Sequence, residues 1–263
     1  MYNEEIERAI ARMAEVAGYL WQRGWAERNG GNISCDITEW ADDSMTQSGS
    51  SYGPFALGRC VDRLRGASFL VTGTNRRMRY VASAPMENAS IIRIGDDGLS
   101  YRIVSGEPIR PTSELPAHLA IHNYLRSVGR TRVRTVLHTH PTDLIAMTHN
   151  PAFLQKDRLG TLLWSMIPET RAFCPKGLGI VPYELPGSER LADRTIEQLG
   201  DYDVVMWEKH GALAVGEDPV EAFDMIDTLS KSAQIYLTAR AMGFEPAGMT
   251  AGQMDEMKEA FGL

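Results

Sequence analysis

The sequence predicts an α/β protein: a single domain over residues 1–263 with a mixed, largely antiparallel central sheet covered by helices. Three observations carry that expectation. Short β-branched runs recur between stretches of helical periodicity along the whole chain. Two pairs of strands, around Asp96-Asp97-Gly98 and around His210-Gly211, are joined by tight turns, which argues against a purely parallel sheet. No internal repeat, low-complexity linker or shift of composition divides the chain.

From the amino terminus, Asn3 caps a helix expected over residues 3–25, where Ile6, Ile10, Met13, Val16, Ala17 and Leu20 recur at helical spacing. Asn29-Gly30-Gly31-Asn32 breaks it and leads into a strand at 32–37. Residues 38–66 are acidic, rich in Ser and Gly and poorly patterned, so an irregular excursion is expected there. A buried strand at 68–73 and one helical turn at 76–80 follow. Residues 90–94 and 99–104 form a hairpin. Pro111 to Pro116 opens a helix to about Ser127. Thr112 or Ser113 caps it, and Pro116 sits in the first turn, where proline is tolerated.

Val133 to His140 reads as a strand, and Pro141 suits its end because it lacks a ladder donor. A helix over 141–149 turns Leu144, Ile145, Met147 and Thr148 inward, and one helical segment covers 153–170. A short strand at 179–182, a helix at 188–199 and two strands at 204–207 and 212–215 come next. Asp218-Pro219 is a cap with proline at the first helical position, and Gly243 closes the long helix that follows. The tail to Leu263 holds another short helix.

Hydrophobic residues make up 43% of the 263, which suffices for a sizeable core and excludes a disordered chain. The net charge of −7 gives no basic surplus to attract nucleic acid or an anionic membrane. An anionic substrate must therefore be held by local donors. Cys35, Cys60 and Cys174 form neither a CxxC pair nor a disulfide framework, which suits a reducing cytoplasm. The first residues are acidic and lack the basic and apolar regions of a signal peptide. No run approaches the about 18 apolar residues of a membrane helix. A cytoplasmic protein is expected.

Chemistry concentrates in His138-Thr139-His140. On a strand, residues i and i+2 share a side, so both imidazoles can aim at one point while Thr139 faces away. On a helix they would stand about 200° apart, at about 3.6 residues per turn. The pair is either a metal clamp or two partly buried histidines bonded to their neighbours. Of the other four histidines, His210 also stands at a strand end, so three imidazoles could converge on one tetrahedral ion and leave a fourth position open. His118 and His122, four apart, read better as cover for a helix surface, and His149 as a solvated turn residue. Glu114 starts a helix, where the dipole favours negative charge. It is either a capping-region charge or a functional carboxylate. Asn29-Gly30-Gly31-Asn32 is either a helix cap and turn or a phosphate cradle of backbone N–H groups and amides.

These motifs fall in an order that resembles the class II aldolase/adducin family. They are Arg28-Asn29-Gly30-Gly31-Asn32, Val71-Thr72-Gly73, Thr112-Ser113-Glu114-Leu115-Pro116-Ala117-His118, His138-Thr139-His140-Pro141 and Lys209-His210-Gly211. The resemblance spans nearly the whole chain. It implies a three-layer class II aldolase-like fold, assembled as a homotetramer with active sites near subunit interfaces. It also implies one zinc ion per chain on His138, His140 and His210, with Glu114 as the catalytic acid/base. The phosphate of a phosphorylated ketose would be held by Asn29, Gly30, Gly31, Asn32, Thr74 and Ser113, with Glu169 as a second active-site carboxylate. Thr74 stands where the pattern suggests serine and keeps the hydroxyl, while residues 38–66 match poorly. The implied reaction is reversible retro-aldol cleavage of the ketose. A 4-epimerase or another phosphoketose aldolase of the family would share the histidines. A non-catalytic adducin-like binding module would need neither them nor Glu114.

Overall fold

In the computed structural model, residues 2–41, 51–105 and 107–262 are described. Among them nine strands form one sheet: β1 (Asn32–Asp36), β2 (Tyr52–Ala56), β3 (Ser68–Thr72), β4 (Ala89–Ile94), β5 (Ser100–Ile103), β6 (Thr135–Thr139), β7 (Gly179–Val181), β8 (Val204–Trp207) and β9 (Gly211–Gly216). Their spatial order is β2-β5-β4-β3-β1-β6-β9-β8-β7. Among the described residues every neighbouring pair is antiparallel except β7 with β8. The mixed, largely antiparallel sheet expected from the two tight turns is thus the one observed.

The helices are α1 (Glu4–Gln22), α2 (Met78–Ser83), α3 (Leu115–Ser127), α4 (Thr142–Thr148), α5 (Arg158–Met166), α6 (Pro168–Phe173), α7 (Glu189–Gln198), α8 (Pro219–Ala241) and α9 (Ala251–Phe261). None of the described helices is long and apolar enough to cross a membrane. α1 starts where the Asn3 side chain accepts the N–H of Ile6, and it buries Ile6, Ile10, Met13, Val16 and Leu20 along one stripe. Met13 is fully buried, so its truncation to alanine should cost about 2–5 kcal/mol. α8 starts where Asp218 accepts the N–H groups of Val220 and Glu221, with Pro219 in its first turn.

Strand alternation divides the core into two layers. Ile33, Cys35, Leu70, Leu137, Ala212 and Ala214 point to the side covered by α1, α4 and α8. Val136, Val205, Leu213 and Val215 point to the other side and meet Ile121 and Leu125 of α3 and Leu191 of α7. The even-numbered residues of β1 face α3 as well, but they are polar: Asn32, Ser34 and Asp36.

Three expectations change. Within the excursion of 38–66, residues 42–50 lie outside the described residues, but 52–56 form the edge strand β2 and 62–64 a helical turn. Gly53 and Pro54 hid β2, since proline breaks the strand pattern yet is tolerated at a sheet edge. The helical segment of 153–170 is two helices, because Pro168 starts α6 after Ile167 takes an extended conformation. The cap position of α3 is Glu114 rather than Thr112 or Ser113, and its side chain makes no capping bond.

Candidate active site

Antiparallel pairing collects the functional candidates at one end of the sheet. The start of β1 pairs with the end of β6 (Asn32 with His138), and His138 pairs with Leu213 near the start of β9. β3 ends beside them, where the Thr72 hydroxyl accepts the N–H of Ile33 at 3.1 Å. The Thr72 carbonyl accepts the N–H of Thr112 at 2.8 Å, which brings in the start of α3.

His138, His140 and His210 each offer a ring nitrogen, and the three nitrogens lie within 4.8 Å of one another. Their surroundings fix the protons. Nδ1 of His138 lies 3.0 Å from the Ala212 carbonyl, which can only accept, so Nδ1 carries the proton. Nδ1 of His140 likewise faces Glu27 Oε1 at 2.6 Å. His138 therefore presents a bare Nε2, and Nε2 of His140 lies 3.3 Å from it. Nδ1 of His210 is buried without a hydrogen-bond partner among the described residues. Burial and the neighbouring imidazoles push the pKa of His138 well below 6.5, and burial lowers that of His210. A cation placed among the three ring nitrogens would be within reach of all of them. The donor set fits a divalent ion that accepts imidazole.

The backbone holds this arrangement under constraint. A Cβ on Gly211 would come within 2.5 Å of the Thr139 carbonyl and 2.8 Å of the His138 ring, so only glycine lets β9 approach β6 here. Four described non-glycine residues have positive φ, and three lie in loops at this end: Arg28, Asn75 and Lys209. The Thr148 hydroxyl pins the last of these turns by accepting the Lys209 N–H at 2.9 Å.

Glu114 is half-buried beside the cluster, and its charge acts on His210. Its Oε2 accepts the Asn32 amide N–H at 3.0 Å. His118 and His122 are not surface cover. Each is 1% exposed, and both bond Ser34 of β1. The helix side that bears them faces the sheet, a fact that four-residue spacing alone does not reveal. His149 is exposed, as expected.

Among the phosphate candidates, Asn29 and Ser113 are exposed, and Gly30 and Thr74 half-buried. Gly31 takes φ +77°, which carries the chain past the His138 carbonyl into β1. Asn32 differs from the expectation. It is only 7% exposed, and its amide is engaged by Glu114 and His118, so its side chain is a partner of the carboxylate rather than a free loop donor. Glu169 stands exposed in the first turn of α6, and the carboxylates whose charge acts on His210 are Glu114 and Glu27. A cleft of about 370 Å³ beside Asp36 is lined by none of these residues.

Sequence reasoning missed Glu27 and Trp207. Glu27 immediately precedes the Arg28–Asn32 motif, and no spacing links it to His140. The indole of Trp207 packs on His138 and His210 at centroid distances of 4.4 and 5.0 Å.

The chain is similar to known proteins over most of its length. The family model described as class II aldolase and adducin N-terminal domain matches residues 11–237. A rhamnulose-1-phosphate aldolase of Bacteroides thetaiotaomicron is 55% identical over 258 residues, covering 98% of this chain and 96% of the relative. One from Pectobacterium atrosepticum is 33% identical, covering 97% and 93%. The crystal structure of a sugar-phosphate aldolase from Thermotoga maritima superimposes with a TM-score of 0.80 at 30% identity, covering 93% of this chain and 100% of that one.

Proposed function

This chain belongs to the class II aldolase and adducin family, and from that premise we propose that it reversibly cleaves L-rhamnulose 1-phosphate into dihydroxyacetone phosphate and L-lactaldehyde. The observation that carries the aldolase reading is three imidazoles converging beside Glu114. Likeness to rhamnulose-1-phosphate aldolases narrows the ketose.

His138, His140 and His210 would hold one zinc ion, which when bound supplies Lewis-acid polarisation of the ketose carbonyl. Glu114 is the proton carrier. In condensation its carboxylate removes a proton from the hydroxymethyl carbon of dihydroxyacetone phosphate. In cleavage the C4 hydroxyl loses its proton to solvent as C3–C4 breaks and the aldehyde carbonyl forms, and protonated Glu114 returns its proton to C3, the kind of transfer that contributes about 10²–10⁴-fold. Asn29, the backbone of Gly30, Gly31 and Asn32, Thr74 and Ser113 hold the phosphate, using binding energy remote from the reacting carbons. The whole of residues 1–263 serves as one catalytic domain in a cytoplasmic homotetramer. Glu169, exposed in the first turn of α6, is the candidate second active-site carboxylate.

The test is incubation of the zinc-loaded protein with L-rhamnulose 1-phosphate while dihydroxyacetone phosphate is followed by a coupled reduction. Release of triose phosphate supports the aldolase. A new sugar phosphate with no triose would identify an epimerase, and no turnover a binding module.

A further inference from the structure

α3 and β1 meet along a polar stripe, not an apolar one. Side chains four apart on a helix repeat every 6 Å or so, and those two apart on a strand every 6.7 Å or so, so two such rows stay in step for a few rungs. Glu114, His118, His122 and Arg126 form the helix row; Asn32, Ser34 and Asp36 form the strand row. Asn32 bridges Glu114 (3.0 Å) and His118 (2.5 Å), and Ser34 bridges His118 (2.8 Å) and His122 (2.9 Å). Arg126 closes the row on Asp36 at 2.6 Å.

The proton positions along this row follow by elimination. A carboxylate accepts, so the Asn32 amide nitrogen faces Glu114 and its oxygen faces His118. That oxygen needs a donor, so His118 carries its proton on Nε2. Its Nδ1 is then an acceptor, and the Ser34 hydroxyl donates to it. Ser34 oxygen in turn accepts from Nε2–H of His122. Burial keeps both histidines neutral, with pKa values lowered to about 4. Every hydrogen bond from His122 onward therefore points toward Glu114, and bonds aligned in this way polarise one another.

We infer that Asn32 and His118, backed by Ser34 and His122, are positioning residues that hold the Glu114 carboxylate in one orientation for proton transfer. This rests on the reading of Glu114 as the proton carrier. His118 acts by fixing the Asn32 amide against rotation. Reversal of that amide would set its oxygen against the carboxylate.

The test uses His118→Leu, His118→Gln and Ser34→Ala, with His118→Leu also made in a Glu114→Gln background. All are zinc-loaded, with metal content measured. The readouts are kcat and KM for cleavage and the exchange of the hydroxymethyl proton of dihydroxyacetone phosphate into deuterated solvent. His118→Leu should lower exchange and kcat about 10- to 100-fold with KM and metal content unchanged, since a misplacement of about 1 Å costs up to about 100-fold. His118→Gln keeps an N–H for Asn32 and should recover most of the loss. In the Glu114→Gln background His118→Leu should cost nothing further, because the two act as one unit. If His118→Leu does not fold, Ser34→Ala reads the same chain with little change of volume and should lose exchange several-fold. Equal losses in both backgrounds would overturn the inference. So would wild-type exchange in His118→Leu or Ser34→Ala while Glu114→Gln is inactive, which would leave Glu114 as the proton carrier. Wild-type exchange in Glu114→Gln alone would overturn both.

Discussion

Oε1 of Glu27 lies 2.6 Å from Nδ1 of His140, a contact between residues 113 positions apart in the chain. The carboxylate sets the imidazole tautomer and turns Nε2 toward Nε2 of His138. Such partners fix ligand orientation and raise ligand basicity.

Glu27→Gln should therefore weaken binding of a divalent ion by about 10- to 100-fold. The fold should survive, since the side chain is 66% exposed. Titration of chelator-stripped protein with zinc gives the affinity, and the wild type should bind about one ion per chain. An unchanged affinity in the variant would remove Glu27 from the metal centre.

Asn29, exposed at the turn before β1, is the phosphate ligand to test first. Asn29→Ala should raise KM for the phosphorylated ketose, with kcat falling too if remote binding energy is used in the transition state. The unphosphorylated ketose should be a poor substrate for the wild type. Equal turnover of both sugars would show that no phosphate subsite operates.

Glu114→Gln separates the two roles a carboxylate can have at a helix start. As a helix-end charge its loss costs about 0.3–1 kcal/mol of stability and leaves turnover nearly intact. As the proton carrier its loss costs about 10²–10⁴ in kcat, or about 2.7–5.4 kcal/mol of barrier. We expect the second outcome, with normal metal content. It is checked by steady-state cleavage together with zinc analysis of the same sample.

The buried pair His118 and His122 predicts how stability responds to acid. Burial lowers both pKa values from 6.5 to about 4; Glu114 opposes the shift at His118, and Asp36 opposes it at His122. In the unfolded chain both rings protonate near 6.5, while in the folded protein they stay neutral down to about 4. The unfolded state then binds more protons across that window. Stability is full above about 6.5 and falls as the pH drops toward 4. The loss is of the order of a few kcal/mol per histidine, since one pKa unit corresponds to about 1.4 kcal/mol. Urea midpoints should fall between pH 7 and pH 5, and His122→Gln should flatten that slope. A midpoint indifferent to pH over this range would contradict the assignment.

The parts of the fold legible in the sequence were those that local patterns specify. The caps at Asn3 and Asp218, the two tight turns and the His138-Thr139-His140 alternation all survive in the structure. β2 was hidden because Gly53 and Pro54 carry no strand signal, and its pairing with β5 comes from the tertiary context of the sheet edge. At the site, the three histidines and Glu114 could be picked out as residues that start or end elements. Their supporting partners could not. Glu27 reaches His140 only through the fold, and Asn32 was read from its loop when its amide belongs to the helix facing it. The alternation of Asn32, Ser34 and Asp36 was visible as polar residues on a strand. Without knowledge of which helix lies opposite, such a row reads as a solvent face.

The row of unlike rungs between α3 and β1 also acts as a register lock. Leucines on successive helical turns are nearly interchangeable, so an apolar contact tolerates axial slippage. Here a carboxylate, two imidazoles and a guanidinium meet an amide, a hydroxyl and a carboxylate, and each pairing needs its own donor or acceptor. Sliding α3 by one turn, about 5.4 Å, would part Arg126 from Asp36 and leave two largely buried charges without counter-ions. The helix that carries Glu114 therefore has one axial setting against the strand that begins beside His138. Distances within the site are set by a ruler that runs the length of β1.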